Sequence, residues 1–208
     1  MKAPLIRGLA LKNDLEVARE LFGDALIDDL VARMAPHHRA QAAAGFLPAK
    51  WYDEQIQIDL VIGLVAELGM EAIGRLGVAL GQRTVTRWHR FLSRVVGPER
   101  LLARAPGMWR YWRDTGHMRV ARHAHGEAEV IVSGNPLFAT DGNAELYGAA
   151  AAYMVHVAGG KATWIGVTRD DSDVVAHVRW NGAPRPSTVP TPGFEIDAVL
   201  ASLPASFR

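Results

Sequence analysis

The sequence predicts an α+β fold, in which a helical N-terminal half (residues 1–115) packs on a four-stranded antiparallel sheet built from residues 116–181. Three observations predict it. Up to about residue 112, apolar residues recur at helical spacing, as in Leu26, Ile27, Leu30, Val31 and Met34. From His117 the pattern switches to alternation, with Met118 and Val120, then Ala128, Val130 and Val132, on one side. One helix rich in small residues, about 143–158, then separates that hairpin from a second strand pair. The sheet half therefore reads strand–strand–helix–strand–strand, and residues 1–181 read as one domain. Residues 182–208 follow as a Pro-rich linker and a short C-terminal helix.

Residues 4–11 are short and apolar, a strand or an extended lead-in, after which Asn13 or Asp14 can cap a first helix that Gly23 stops. Asp24 opens a second helix that ends at Pro36, and His37 and His38 begin a short Ala-rich segment. Pro48 suits the first position of a helix over 49–68, which is apolar nearly all round after Asp59 and so reads as central. Ala72, Ile73, Leu76 and Leu80 mark another helix. Thr84 or Thr86 caps the next, which carries Trp88, Phe91 and Leu92. Pro106 begins an aromatic helix that Gly116 stops. In the following hairpin a three-residue loop, His125, Gly126 and Glu127, sets Ala124 opposite Ala128 and His123 opposite Glu129, with both apolar rows on one face. Strands at about 162–169 and 173–180 close the sheet; in the last, Val174, Ala176, Val178 and Trp180 face the core.

The totals bound the function. The chain has 208 residues, enough to bury a core, with 49% hydrophobic and 22% charged residues. Its formal net charge of +1, from 23 basic and 22 acidic side chains, makes no electrostatic case for nucleic acid. With no cysteine, disulfides, thiolate metal sites and cysteine nucleophiles are excluded. No apolar run reaches the ~20 residues of a membrane span. The N-terminus lacks a secretory pattern, so a cytoplasmic location is expected.

The aromatic residues stand out. Trp109 and Trp112 share a helical face, and Trp112 is expected to lie deeper than Arg110 and Arg113, whose spacing reads as a solvated face. With Tyr52 and Trp88, these rings either wall a pocket for a flat ligand, with His89 or Tyr52 as its polar anchor, or fill the core between helices and sheet. His123 and His125 share a strand face, as a chelating pair does, but a solvated face with cross-strand pairing to Glu129 accounts for them better, since the opposite face carries the apolar row. Adjacent side chains diverge on a helix, so His37 and His38 read as a polar cluster at a helix end. No nucleophile motif or phosphate loop is present, and neither a catalytic residue, a metal nor a cofactor is expected.

The layout also resembles a known family. The stretch PGMWRYWRDTGHMRV at 106–120, the closing strand VAHVRW at 175–180 and the small-residue helix ending Ala158, Gly159, Gly160 are similar to the landmarks of 4-vinyl-reductase-type ligand-binding domains. Gly23–Leu26 and FLPAKWY at 46–52 resemble the helical half of their uncharacterised relatives of about 200 residues, found in myxobacteria. The resemblance implies a domain that dimerises and binds a small hydrophobic or aromatic ligand between helices and sheet. The cysteine zinc site of some members cannot carry over to a chain without cysteine.

Two functions are therefore expected. The first is a non-catalytic, sensor-like domain that holds an apolar or aromatic small molecule, with Trp109, Trp112, Tyr52, Trp88 and His89 as the ligand-binding residues and a homo-oligomer as the assembly. The alternative is a protein–protein interaction module with a solid core and no ligand.

Overall fold

A computed structural model describes residues 3–84, 96–121, 126–138, 140–160, 164–170, 173–181 and 194–207. Residues 85–95, most of the next predicted helix, with Trp88 and His89, lie outside the described residues. So do His123, His125 and the whole of the 182–193 linker. Thr84, offered as the cap of the predicted helix, is the last residue of the preceding one.

The chain begins with β1 (Leu5–Arg7), α1 (Gly8–Phe22), α2 (Asp24–Arg33), α3 (Pro36–Ala44), β2 (Trp51–Asp53), α4 (Gln55–Leu68) and α5 (Met70–Thr84). After α6 (Pro98–Leu102) and α7 (Ala105–Trp112) come β3 (His117–Ala121), β4 (Glu127–Ser133), α8 (Asn143–Val157), β5 (Trp164–Asp170) and β6 (Asp173–Arg179). The chain closes with β7 (Phe194–Glu195), α9 (Ile196–Ser202) and a 3-10 turn, Ala205–Phe207.

The α+β class is as predicted, but the sheet has five strands, not four, in the order β3-β4-β6-β5-β7 with every neighbouring pair antiparallel. The fifth strand comes from beyond the Pro-rich stretch. Phe194 and Glu195 pair with Ile165 and Trp164, and Phe194 packs on Gly74 of α5. Behind β7, Ile196, Val199, Leu203 and Phe207 are buried in the same core as the helices. Two strand residues are too short a run to show alternation; the pairing is legible only because the β5 edge accepts them.

A second, two-stranded sheet was not foreseen, although its first strand falls in the 4–11 stretch read as a strand or a lead-in. Leu5–Arg7 pairs with Trp51–Asp53, so the helix expected over 49–68 starts only at Gln55. Arg7 holds this pair together: its guanidinium donates to Ala49 O at 2.6 Å and lies 4.0 Å from the Trp51 ring. The first helix likewise starts at Gly8, so Asp14 is not its cap but an interior, buried residue.

In the β3–β4 hairpin, Val120 faces Val130 and Ala121 faces Glu129, two residues away from the expected register. A shift of two keeps every side chain on its face, so Met118, Val130 and Val132 still point inward as the alternation requires. Glu129 is set opposite His177 on β6.

The helix α8 lies between the sheet and α5. Gly148 seats the Ile165 side chain of β5, and on its other side Gly77 of α5 is so close that an added Cβ would come 2.4 Å from the Leu146 carbonyl oxygen. Small residues thus set a short interlayer spacing on two sides of α8, and the larger remaining space lies along residues 144–154 of that helix. Among the described residues, no helix is long and apolar enough to cross a membrane.

Candidate functional site

That space is a partly open cavity of about 210 Å³. Its wall is almost wholly apolar. Leu80 of α5, Leu102 of α6, Trp109 and Trp112 of α7, Val130 of β4 and Met154 of α8 contribute to it. Helices α1 and α5 line it as well, whereas among the described residues none of α4 does.

Polar groups gather at one end, where Asp14, Arg113 and Tyr147 reach the cavity. They belong to a buried network. Gln57 donates its amide N–H to Asp14 and to the Tyr147 hydroxyl, the latter at 3.0 Å. Arg113 Nη2 donates to Gln57 Oε1 at 2.6 Å and to the Tyr147 hydroxyl at 2.5 Å. Arg113 Nη1 forms an ion pair with Glu54, and both side chains are fully buried. Glu54 in turn accepts from Asn135 Nδ2 at 3.0 and 3.3 Å. The Arg113 guanidinium also lies 4.6 Å from the Tyr147 ring and 5.0 Å from that of Trp109. Two such charges tolerate burial only as a hydrogen-bonded pair.

The position of Arg113 corrects the sequence reading. It was expected on a solvated face, shallower than Trp112. Instead Arg113 is 2% exposed and Trp112 half-buried. The cause is local: α7 ends at Trp112, and Arg113 adopts an extended backbone (φ −134°, ψ 145°) that bridges to Ile6. Leu5 N–H donates to Asp114 Oδ1 at 2.7 Å, and Asp114 N–H to Leu5 O at 3.2 Å. The helix expected to run up to Gly116 therefore ends already at Trp112, and the helical spacing that placed Arg113 outside no longer applies to it.

Burial pushes the Asp14 carboxyl up to about 7, against the lowering pull of the Gln57 amide and the Arg113 charge. Burial also raises the Tyr147 hydroxyl, with Arg113 opposing and Asp14 adding to the rise. The Tyr147 ring is open to the cavity while its hydroxyl sits inside the network.

Of the residues singled out from the sequence, Trp109 and Trp112 line the cavity. Trp109 is buried, donates Nε1–H to Thr115 O at 3.1 Å and meets Phe138 edge-on at 5.1 Å. Tyr52 is not part of the wall. Its hydroxyl accepts the Leu47 N–H at 3.0 Å and its ring packs on Phe46. Trp88 and His89 lie outside the described residues. Sequence reasoning missed Asp14, Gln57, Arg113 and Tyr147. Two of them carried a signal: Asp14 continues the buried stripe of Leu11, Val17 and Ala18, and Gln57 that of Leu60, Val61 and Leu64. A polar side chain on such a stripe has to find a partner inside.

Away from the cavity, at the start of α3, the His37 and His38 rings do not diverge: their centroids are 3.9 Å apart. Ligand atoms of His37, His38 and Asp53 all lie within 4.8 Å of one another.

No family model matches the chain, and no curated protein matches it. Solved structures do. The Fe(II) unliganded H-NOX protein from K. algicida is 10% identical, with a TM-score of 0.63 over 85% of this chain and 97% of that one. A point mutant of the same protein gives 11%, 0.64, 86% and 98%. A Cs H-NOX protein with an unnatural amino acid gives 10%, 0.61, 85% and 97%. At such identity the likeness is one of fold. It corrects the resemblance to 4-vinyl-reductase-type domains, since the solved structures compared are all H-NOX domains. The landmarks behind that resemblance are real elements (α7 running into β3, α8, β6), but a helix–hairpin–helix–hairpin layout does not belong to one family.

Proposed function

We propose that this protein is a non-catalytic, sensor-type binding domain for a small, neutral, apolar molecule held in the cavity beside α7 and α8. The observation that carries the reading is the cavity itself: an apolar wall closed at one end by a small polar group. At about 210 Å³ it exceeds the ~150 Å³ that holds a benzene ring and falls below the ~300–1,000 Å³ of larger ligand pockets. A one- or two-ring compound fits that size. The charge of Arg113 is already matched by Glu54, which favours a neutral ligand.

Work on H-NOX proteins of this fold concerns heme, so heme is the ligand to test against. The described residues of the cavity do not fit it. Heme iron is held by histidine, cysteine, methionine with histidine, or tyrosine. Among the described residues no histidine lines the cavity, and the chain has no cysteine. The Tyr147 hydroxyl is committed to Arg113 and Gln57. The volume is also that of a small ring system rather than a porphyrin.

The test is a thermal-shift panel of neutral one- and two-ring compounds, with heme as a separate arm. A fitting compound at a hundredfold excess over its Kd stabilises the fold by about 2.7 kcal/mol. No shift across the panel, or a heme complex with an axially ligated spectrum, would overturn the reading.

A further inference from the structure

The geometry points to a second site, independent of the cavity: His37, His38 and Asp53 form a binding site for a zinc-class divalent transition metal. The three side chains come from the first turn of α3 and from β2, brought together when β2 pairs with β1. Residues adjacent on a helix are separated by about 100° around its axis, yet these two rings approach each other and Asp53, with ligand atoms of all three within 4.8 Å.

Two further observations suit a metal better than a plain polar cluster. The first concerns His38, which is 3% exposed. Its Nε2 stands 3.3 Å from Asp53 Oδ2, long for an N–H···O bond, whose usual length is about 2.9–3.0 Å. The same separation is the edge of a tetrahedron with metal–ligand bonds of about 2.0–2.1 Å. The second concerns the other ring nitrogen. His38 Nδ1 is buried without a hydrogen bond, and 3.8 Å away stands Asp59 Oδ2. A carboxylate behind the non-ligating nitrogen is the usual support of a metal-bound histidine.

One residue positions both carboxylates. Gln55 donates its backbone N–H to Asp53 Oδ1 at 2.9 Å and its side-chain amide to Asp59 Oδ1 at 2.8 Å. The two Oδ2 atoms are thereby left to face His38, Asp53 on the metal side and Asp59 behind the ring. His37 is exposed, so the fourth position opens to water. Two imidazoles and one carboxylate select zinc, cobalt, nickel or copper; magnesium and calcium prefer all-oxygen sets.

Zinc titration of tag-free protein by calorimetry near neutral pH tests this, with Co(II) absorption as the reporter of coordination geometry. One equivalent of zinc should bind, raise the melting temperature, and leave a tetrahedral visible spectrum with Co(II). His37→Ala and Asp53→Asn should each abolish stoichiometric binding, and Asp59→Asn should weaken it about 10–100-fold. Because His37 is exposed, the metal-free melting temperature of His37→Ala should equal that of the parent, and that variant alone decides the case if Asp53→Asn fails to fold. No binding at one equivalent, or unchanged binding in His37→Ala, would overturn the site. So would unchanged binding in a folded Asp53→Asn.

Discussion

Asp14→Asn should change how stability depends on pH. In the folded protein the Asp14 carboxyl titrates at about 7, against 3.8 as its ordinary value. Between those values the folded state keeps a proton that the unfolded chain has released, so stability falls as pH rises from about 4 to about 7 and levels off above. Three units at about 1.36 kcal/mol each make roughly 4 kcal/mol, a large share of the ~5–15 kcal/mol of a typical domain. Asparagine retains an acceptor for the Gln57 amide and has no charge to desolvate, so the variant should lack this slope. Urea denaturation of both proteins at about pH 4.5 and about pH 8 reads the effect. The carboxylates common to both, which include paired ones with the opposite dependence, cancel in the difference. The variant should gain on the parent by a few kcal/mol between the two conditions. Parallel pH profiles would refute the reasoning and place a charged carboxylate at the base of the cavity.

Other expectations follow from the same contacts. Trp109→Ala removes a buried ring and its hydrogen bond to Thr115 and should cost about 3–5 kcal/mol by chemical denaturation. Trp112→Ala, on the half-buried cavity wall, should lose ligand-induced thermal shift while costing clearly less. Equal costs for the two variants would argue that Trp112 is packed core. Glu54→Gln leaves the Arg113 charge buried without its counterion and should cost about 3–5 kcal/mol. Gly77→Ala forces a methyl group against the Leu146 carbonyl oxygen and the Ala149 side chain; about 1–3 kcal/mol of lost stability is expected, and none at all would mean that α5 and α8 separate easily.

Periodicity carried much of the architecture. The helical stripe of α2, the alternation in β3, β4 and β6, and the small-residue helix α8 are local patterns. The side chains that made them visible are buried or half-buried on one face of their own element, so the α+β class could be read from the sequence. The four-strand count failed at Phe194–Glu195, and the helix over 49–68 failed at Trp51–Asp53. These runs of two and three residues have no period of their own and become strands only when a distant edge supplies hydrogen bonds. The indole pair of α7 was conspicuous in the sequence and does line the cavity, but whether such rings enclose a space or fill one depends on the layer spacing that Gly77 and Gly148 set.

The polar end of the cavity divides along the same boundary. The sequence alone carried the buried stripes of Leu11, Val17 and Ala18 and of Leu60, Val61 and Leu64, because a 3.6-residue repeat needs no partner to be named; that Asp14 and Gln57 continue those stripes inward was missed, Asp14 being read as a cap. Only the tertiary structure decided that Asp14, Gln57, Glu54, Arg113 and Tyr147 share one network, or that Asp53 meets His37 and His38. Those pairings join residues up to 90 positions apart. They arise where β1 draws the end of α7 out of its helix and pairs with β2, and no local pattern encodes contacts made by two strands closing on each other.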